Sequence, residues 1–160
     1  MPKNSICIVS CGGEGHRAQA LAGMIRSEFP SIHVVTANGA QGAGHTMRDT
    51  AFDYVIIDGV DSLEDALVVV TAVSTGYRQF NGFVWSGTAR LTPLLVIVPR
   101  GQQGALHGMP ATQAVEEPVE PAWLIQRLTE LNFKPRPHES NETRNRVVEQ
   151  GSTTTITPTT

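Results

Sequence analysis

Short apolar runs alternate along this chain with longer stretches in which apolar residues recur every three or four positions. SICIVSC (5–11) is apolar and small throughout and is closed by Gly12-Gly13, which predicts a central β-strand followed by a turn. Ala20, Leu21, Met24, Ile25 and Phe29 then fall at helical spacing between His16 and Phe29, and Pro30 stops that helix. SIHVVT (31–36) predicts a second strand. Residues 40–50 predict a weak helix, loosened by Gly42 and Gly44. Tyr54 to Asp58 predicts a third strand, whose unbroken Val55, Ile56 and Ile57 suit a strand covered on both faces. Ser62 is an N-cap with Asp65 at the third helical position, and the helix is expected to run to about Tyr77. Residues 78–92 read as irregular, LLVIV (94–98) as a fourth strand and Ala114 to Glu116 as a short fifth one. The Pro-, Gly- and Gln-rich 99–113 leaves room for one poor helix, and PAWLIQRLTEL (121–131) is an amphipathic final helix with Pro in its first turn.

Strands alternating with helices in this way predict an α/β fold, a doubly wound five-stranded parallel sheet with helices on both faces. Residues 1–133 form the expected domain. Beyond Phe133 the chain turns polar and Thr-rich, and 134–160 is expected to be a disordered tail, having too few large apolar groups to offset the entropy of ordering.

Composition narrows the function classes. At 160 residues the chain can bury a core without disulfides or metals. A formal charge of −3, with no basic stripe, argues against nucleic-acid binding. No apolar run is long enough to cross a bilayer and none of the first residues form a signal-peptide core, so the expected compartment is the cytoplasm. Cys7 and Cys11 share one strand and cannot bridge while it stays extended. The five histidines are scattered, so neither a metal site nor a cofactor is expected, and Gly12, Gly13 and Gly15 serve turn geometry and make no dinucleotide fingerprint.

The order of elements, with ICIVSCGGEGHRAQALAGMI, VVTANGAQGAGHTMRDTAFDYVIID, TPLLVIVP and VEEPVEPAWLIQRLTEL, resembles the receiver domain of two-component response regulators over roughly residues 5–133. The resemblance implies a flavodoxin-like three-layer fold and puts Asp58 at the position of the phosphoacceptor. It also implies an acidic pair after the first strand to hold Mg²⁺, a hydroxyl ending the fourth strand, and a lysine before a proline on the fifth. This chain has Ser10 and Cys11, Val98, and Glu117 before Pro118 instead. A thiol and a hydroxyl are poor ligands for Mg²⁺, and Glu117 would repel a phosphoryl group. The expected protein is therefore a degenerate receiver, or pseudo-receiver, that is more a binding module than an enzyme. Its partner would be another protein, a kinase or other signalling component among the candidates, and a homodimer is compatible with the sequence. Phe80, Phe83 and Trp85, in what reads as an insertion, and Trp123 on the last helix are the candidate contact residues, since Trp and Phe dominate interface cores.

A second resemblance is carried by Cys11-Gly12-Gly13-Glu14-Gly15-His16-Arg17, which is similar to the phosphate loop of low-molecular-weight protein tyrosine phosphatases. It implies Cys11 as nucleophile and Arg17 as phosphate clamp. Ala18 stands where that family has Ser or Thr, Glu14 stands where it has asparagine, and its late Asp-Pro acid is absent.

Overall fold

A computed structural model describes residues 4–48, 50–75, 77–80, 83–86, 92–109 and 112–137, with the side chains of 74–86 outside the description. The elements run β1 (Ser5–Ser10), α1 (His16–Glu28), β2 (His33–Asn38), α2 (Gly39–Arg48), β3 (Tyr54–Asp58), α3 (Leu63–Thr75), β4 (Tyr77–Phe80), β5 (Phe83–Ser86), β6 (Leu94–Val98), β7 (Thr112–Glu116) and α4 (Pro121–Glu130), with a short 3₁₀ turn at Gln103–Leu106. Five strands form one parallel sheet in the order β2-β1-β3-β6-β7, and β4 and β5 form a separate antiparallel pair. The sheet is the doubly wound one the periodicity predicts.

Its two faces are sorted by the period-2 alternation of the strands. Ile6, Ile8, Tyr54, Ile56, Leu95 and Ile97 point to one face, where Ala18, Ala22 and Ile25 of α1 and Leu124 and Leu128 of α4 cover them. Cys7, Val9, Val55, Ile57, Val96 and Val98 point to the other, beneath Ala43 and Met47 of α2 and Val69, Val70 and Val73 of α3. The central strand β3 is buried along its whole length, which is why Val55, Ile56 and Ile57 run unbroken to Asp58.

Three sequence expectations need correction. Residues 78–92 are not irregular throughout, because β4 and β5 pair with Phe80 opposite Phe83. The fourth helix is reduced to the 3₁₀ turn Gln103–Leu106, as expected where Gly101, Gly104 and Gly108 offer no helical propensity. The fifth strand starts at Thr112, two residues earlier than its apolar run. The contact role expected of Phe80, Phe83 and Trp85 concerns side chains outside the described residues. Most of the expected tail, from residue 138 on, lies there too. The described part of it, 134–137, returns to α1, where the Arg136 N–H donates to the Glu28 carbonyl at 2.7 Å.

Candidate functional site

The strand order reverses at β1, so β2 and β3 flank it and their connections leave for opposite faces. In such sheets the crevice at the carboxyl ends of the strands, beside this switch, is where ligands collect. The register brings Asn38, Ser10 and Asp58 side by side there, on β2, β1 and β3. The chain turns over them at Gly12 and Gly13, both left-handed at φ +77° and +65°, and a Cβ on Gly13 would strike the Asp61 carboxylate. Ser62 caps α3 as the sequence predicts, its Oγ accepting from the Asp65 N–H at 3.2 Å.

Asp58 is 4% exposed in its side chain, and its carboxylate is held by Arg17. One guanidinium nitrogen, Nη1, donates to Oδ2 at 2.9 Å and to Oδ1 at 3.2 Å, and the backbone N–H of Val60 donates to Oδ1 at 3.2 Å. The same nitrogen lies 3.5 Å from Asp61 Oδ2. Arg17 sits in the first turn of α1, a helix whose cap is Gly15 with no side-chain hydrogen bond and whose first turn holds no acid. A cation there opposes the helix dipole, so the stabilisation must come from across the crevice. It does: the hydrogen bond to Asp58 is the chief reason the Arg17 pKa is pushed above its already high value. The sequence singles out both residues but assigns them to different sites. The legible signal for pairing them was a cation at the wrong end of a helix facing a carboxylate at a strand end.

Cys11 and Arg17 are turned to different partners. Cys11 is 1% exposed and packs with the α2 and α3 side of the core. Burial first, then the charges of Asp65 and Asp58 and a hydrogen bond to Asp65, push its thiol well above the usual cysteine range. An activated nucleophile requires the opposite shift. Cys7 is likewise buried, its thiol pushed up to about 12.

A small crevice of about 210 Å³ lies above Asp58, lined by Glu14, Gly15, His16, Arg17, Asp58 and Asp61. Arg17 faces Asp58 and Asp61 in it, while the exposed Glu14 carboxylate lies 3.3 Å from His16 Nε2. The residues present do not fit Mg²⁺. Ser10 and Cys11 are soft or neutral, the Ser10 hydroxyl is directed to the Gly12 carbonyl at 3.4 Å, and the Asp58 oxygens already face a cation. Among the described residues no three His, Cys, Asp or Glu side chains cluster to hold a metal ion. Glu117 borders a second, mostly apolar pocket of about 310 Å³ together with Arg17, Leu21, Met24 and Val119. Trp123 is half-buried on α4 and packs against the core of that same face.

No protein-family model matches the chain, and no curated protein does. Solved structures match it over most of its length. A sensor protein from Polaromonas sp. JS666 superposes with a TM-score of 0.59 at 16% identity, over 81% of this chain and 96% of that one. A bacteriophytochrome response regulator gives 0.59 at 14% identity, over 87% and 99%. This is the receiver fold. The receiver domain of a Saccharomyces cerevisiae response regulator, crystallised with a histidine phosphotransfer signalling protein, gives 0.57 at 14% identity, over 82% and 90%. At these identities the likeness concerns the fold, and the residues at its carboxyl edge have to be judged by themselves. Among the described residues no helix is long and apolar enough to cross a membrane.

Proposed function

We propose that this chain is a pseudo-receiver, a regulatory module that works in the cytoplasm by protein–protein contact and not by conventional phosphorylation of Asp58. The observation that carries the reading is the Arg17–Asp58 pair. In a phosphorylating site the acceptor carboxylate must present an oxygen to the donor, and a divalent cation must bridge it to the incoming group. Here the chain's own guanidinium lies 2.9 and 3.2 Å from the two oxygens, with Asp61 beside it. A built-in cation gives Asp58 its counter-charge without metal, and the surplus of carboxylates in the crevice disfavours an added phosphoryl group.

Support for a protein partner comes from the face formed by α1 and the β7–α4 connection. Leu21, Met24 and Val119 remain partly exposed there around an apolar pocket, and a solved receiver domain of the same fold was crystallised with a phosphotransfer protein. Trp123, partly buried against the same core cluster as these residues, stays the candidate anchor. The alternative enzyme, with Cys11 as nucleophile and Arg17 as clamp, draws no support from a buried, hard-to-ionise thiol and an arginine committed to Asp58.

Intact mass after incubation with Mg²⁺ and a small-molecule phosphodonor tests the reading, with Asp58→Ala and Cys11→Ser run alongside. The expected result is no phosphoryl adduct on any of the three. An adduct on the parent chain that is lost in Asp58→Ala would make this a working receiver. Loss in Cys11→Ser instead would move the chemistry to the phosphatase-like loop.

A further inference from the structure

Arg17 borders two cavities. Its Nη1 serves the Asp58 crevice, and the same side chain also lines the apolar pocket of about 310 Å³ between α1 and the β7–α4 connection. The pocket follows from the local sequence. Ala20, Leu21 and Met24 lie three, four and seven positions after Arg17, so one stripe of α1 forms a wall. Ile97 at the end of β6 and the 118–121 connection supply the rest. Leu21, Met24 and Val119 are partly buried against the core beneath, which leaves part of each open to the pocket.

Two charges of opposite sign stand at this apolar wall. Arg17 spends Nη1 on Asp58 and Asp61, and among the described residues its Nε and Nη2 have no acceptor. The Glu117 carboxylate has no donor among the described residues, and no ion pair joins it to Arg17. Both are within reach of a ligand, the Arg17 side chain being 40% exposed and Glu117 half-buried. A hydrocarbon would cover the wall and leave both charges facing an apolar body. A carboxylic acid would pair with Arg17 and be repelled by Glu117, and an amine would do the reverse. A molecule that joins a carboxylate and an ammonium to a short apolar body meets all three features.

We infer that this pocket binds a free α-amino acid with an apolar side chain. Its carboxylate takes the parallel Nε–H and Nη2–H donors of Arg17, its ammonium pairs with Glu117, and its side chain lies along Leu21, Met24 and Val119. The volume is at the small end of ligand pockets, roughly 300–1,000 Å³, as a ligand of this size requires. The ligand is a chemical input to the face given above to a protein partner. Its binding does not rest on that reading, because every group it uses belongs to this chain.

L-Leucine is the probe, titrated into the whole chain and followed at the ¹³C-labelled methyl groups of Leu21, Met24 and Val119. Saturable shifts are expected. Ala20→Trp, at an exposed position of α1, fills the pocket and should abolish them, while the methyl groups of the core report an intact fold. Two analogues test the charges on the parent chain. 4-Methylpentanoate lacks the ammonium and 3-methylbutylamine lacks the carboxylate, and each should bind about tenfold more weakly, the order of one charge-assisted hydrogen bond. Glu117→Gln should weaken leucine by the same factor without weakening 4-methylpentanoate. Glycine, with both charges and no side chain, should give no saturable shift. Absence of saturable shifts with leucine, shifts that survive Ala20→Trp, or analogues that bind as well as leucine would overturn the assignment. None of these outcomes alters the intact-mass result, so a failure here is separate from a failure of the pseudo-receiver reading.

Discussion

The two ends of the central sheet solve the same problem in opposite ways. At the carboxyl end a buried carboxylate is met by the chain's own cation and a backbone N–H. At the amino end the Tyr54 phenol, the Gln113 amide and the Arg127 guanidinium come together with Oη, Oε1 and Nε buried and short of a well-formed hydrogen bond. The first end belongs to the part of the fold where receiver chemistry is expected, yet its electrostatics are closed from within. The second has no assigned role, yet its hydrogen-bonding capacity is left open. In a fold shared by many proteins, the position of a residue indicates where chemistry could occur, and its hydrogen-bond partners decide whether it can.

Alkaline pH should strain both ends and gives the largest effect. Cys7 and Tyr54 each have a folded-state pKa of about 12, raised from 9.0 and 10.0, and Cys11 is raised further. Because the native state holds these protons more tightly than the unfolded chain, their contribution is complete below the unfolded values and is lost as pH rises above them. Each group then costs about 1.4 kcal/mol per pH unit. Urea unfolding midpoints should be flat between pH 7 and 8 and fall steeply above pH 9. A Cys7→Ala, Cys11→Ala variant should defer the fall to the tyrosine range, above pH 10. A stability that stays flat to pH 11 would contradict the burial of all three groups.

The carboxyl end is also where backbone spacing is tightest. A Cβ on Gly59 would lie 2.8 Å from the Ala66 Cβ and 3.2 Å from the Ile97 carbonyl oxygen. Neither neighbour can rotate away, so Gly59→Ala should cost about 2–3 kcal/mol in urea unfolding. Arg17→Ala should cost less, about 1–2 kcal/mol. It leaves Asp58 buried with the Val60 N–H as its remaining donor, while the 40% exposure of Arg17 lets water screen part of the original pair. The test is asymmetric: Asp58→Asn should cost less than Arg17→Ala, because Arg17 can turn to Asp61 and to solvent, whereas Asp58 cannot. Equal losses would mean that the pair does not anchor the crevice.

Most of the fold was legible because buried parallel strands carry continuous apolar runs. YVIID and LLVIV marked β3 and β6 to the residue. The hairpin β4–β5 was missed for the opposite reason. YRQF and FVWS are neither continuous nor cleanly alternating, so hydrophobic periodicity does not mark them as strands. At the site, Asp58, Arg17 and Cys11 were each legible as residue types, but their partners were not. Period-2 alternation sends Cys11 to the α2–α3 face, and the first turn of α1 sends Arg17 over Asp58; both follow only once the strand register is known. Tyr54, Gln113 and Arg127 were invisible for the same reason, being separated by 59 and 14 positions and joined only through β3, β7 and α4.

The smallest effect has the most informative sign. Removing a hydroxyl that is well bonded inside a protein destabilises it, by about 1 kcal/mol. Removing one that is buried without a partner relieves a desolvation penalty instead. Tyr54→Phe should therefore leave the chain as stable as before or more stable by up to about 1 kcal/mol, with the ring still packed on Phe133. The contrast with Arg17→Ala is the point. At the carboxyl end a lost polar group should weaken the fold because a partner depended on it, and at the amino end a lost polar group should not. If Tyr54→Phe instead destabilised the free protein by 1 kcal/mol or more, on the order of one ordinary hydrogen bond, the hydroxyl would have a partner already. The two ends would then be alike, both satisfied from within the chain.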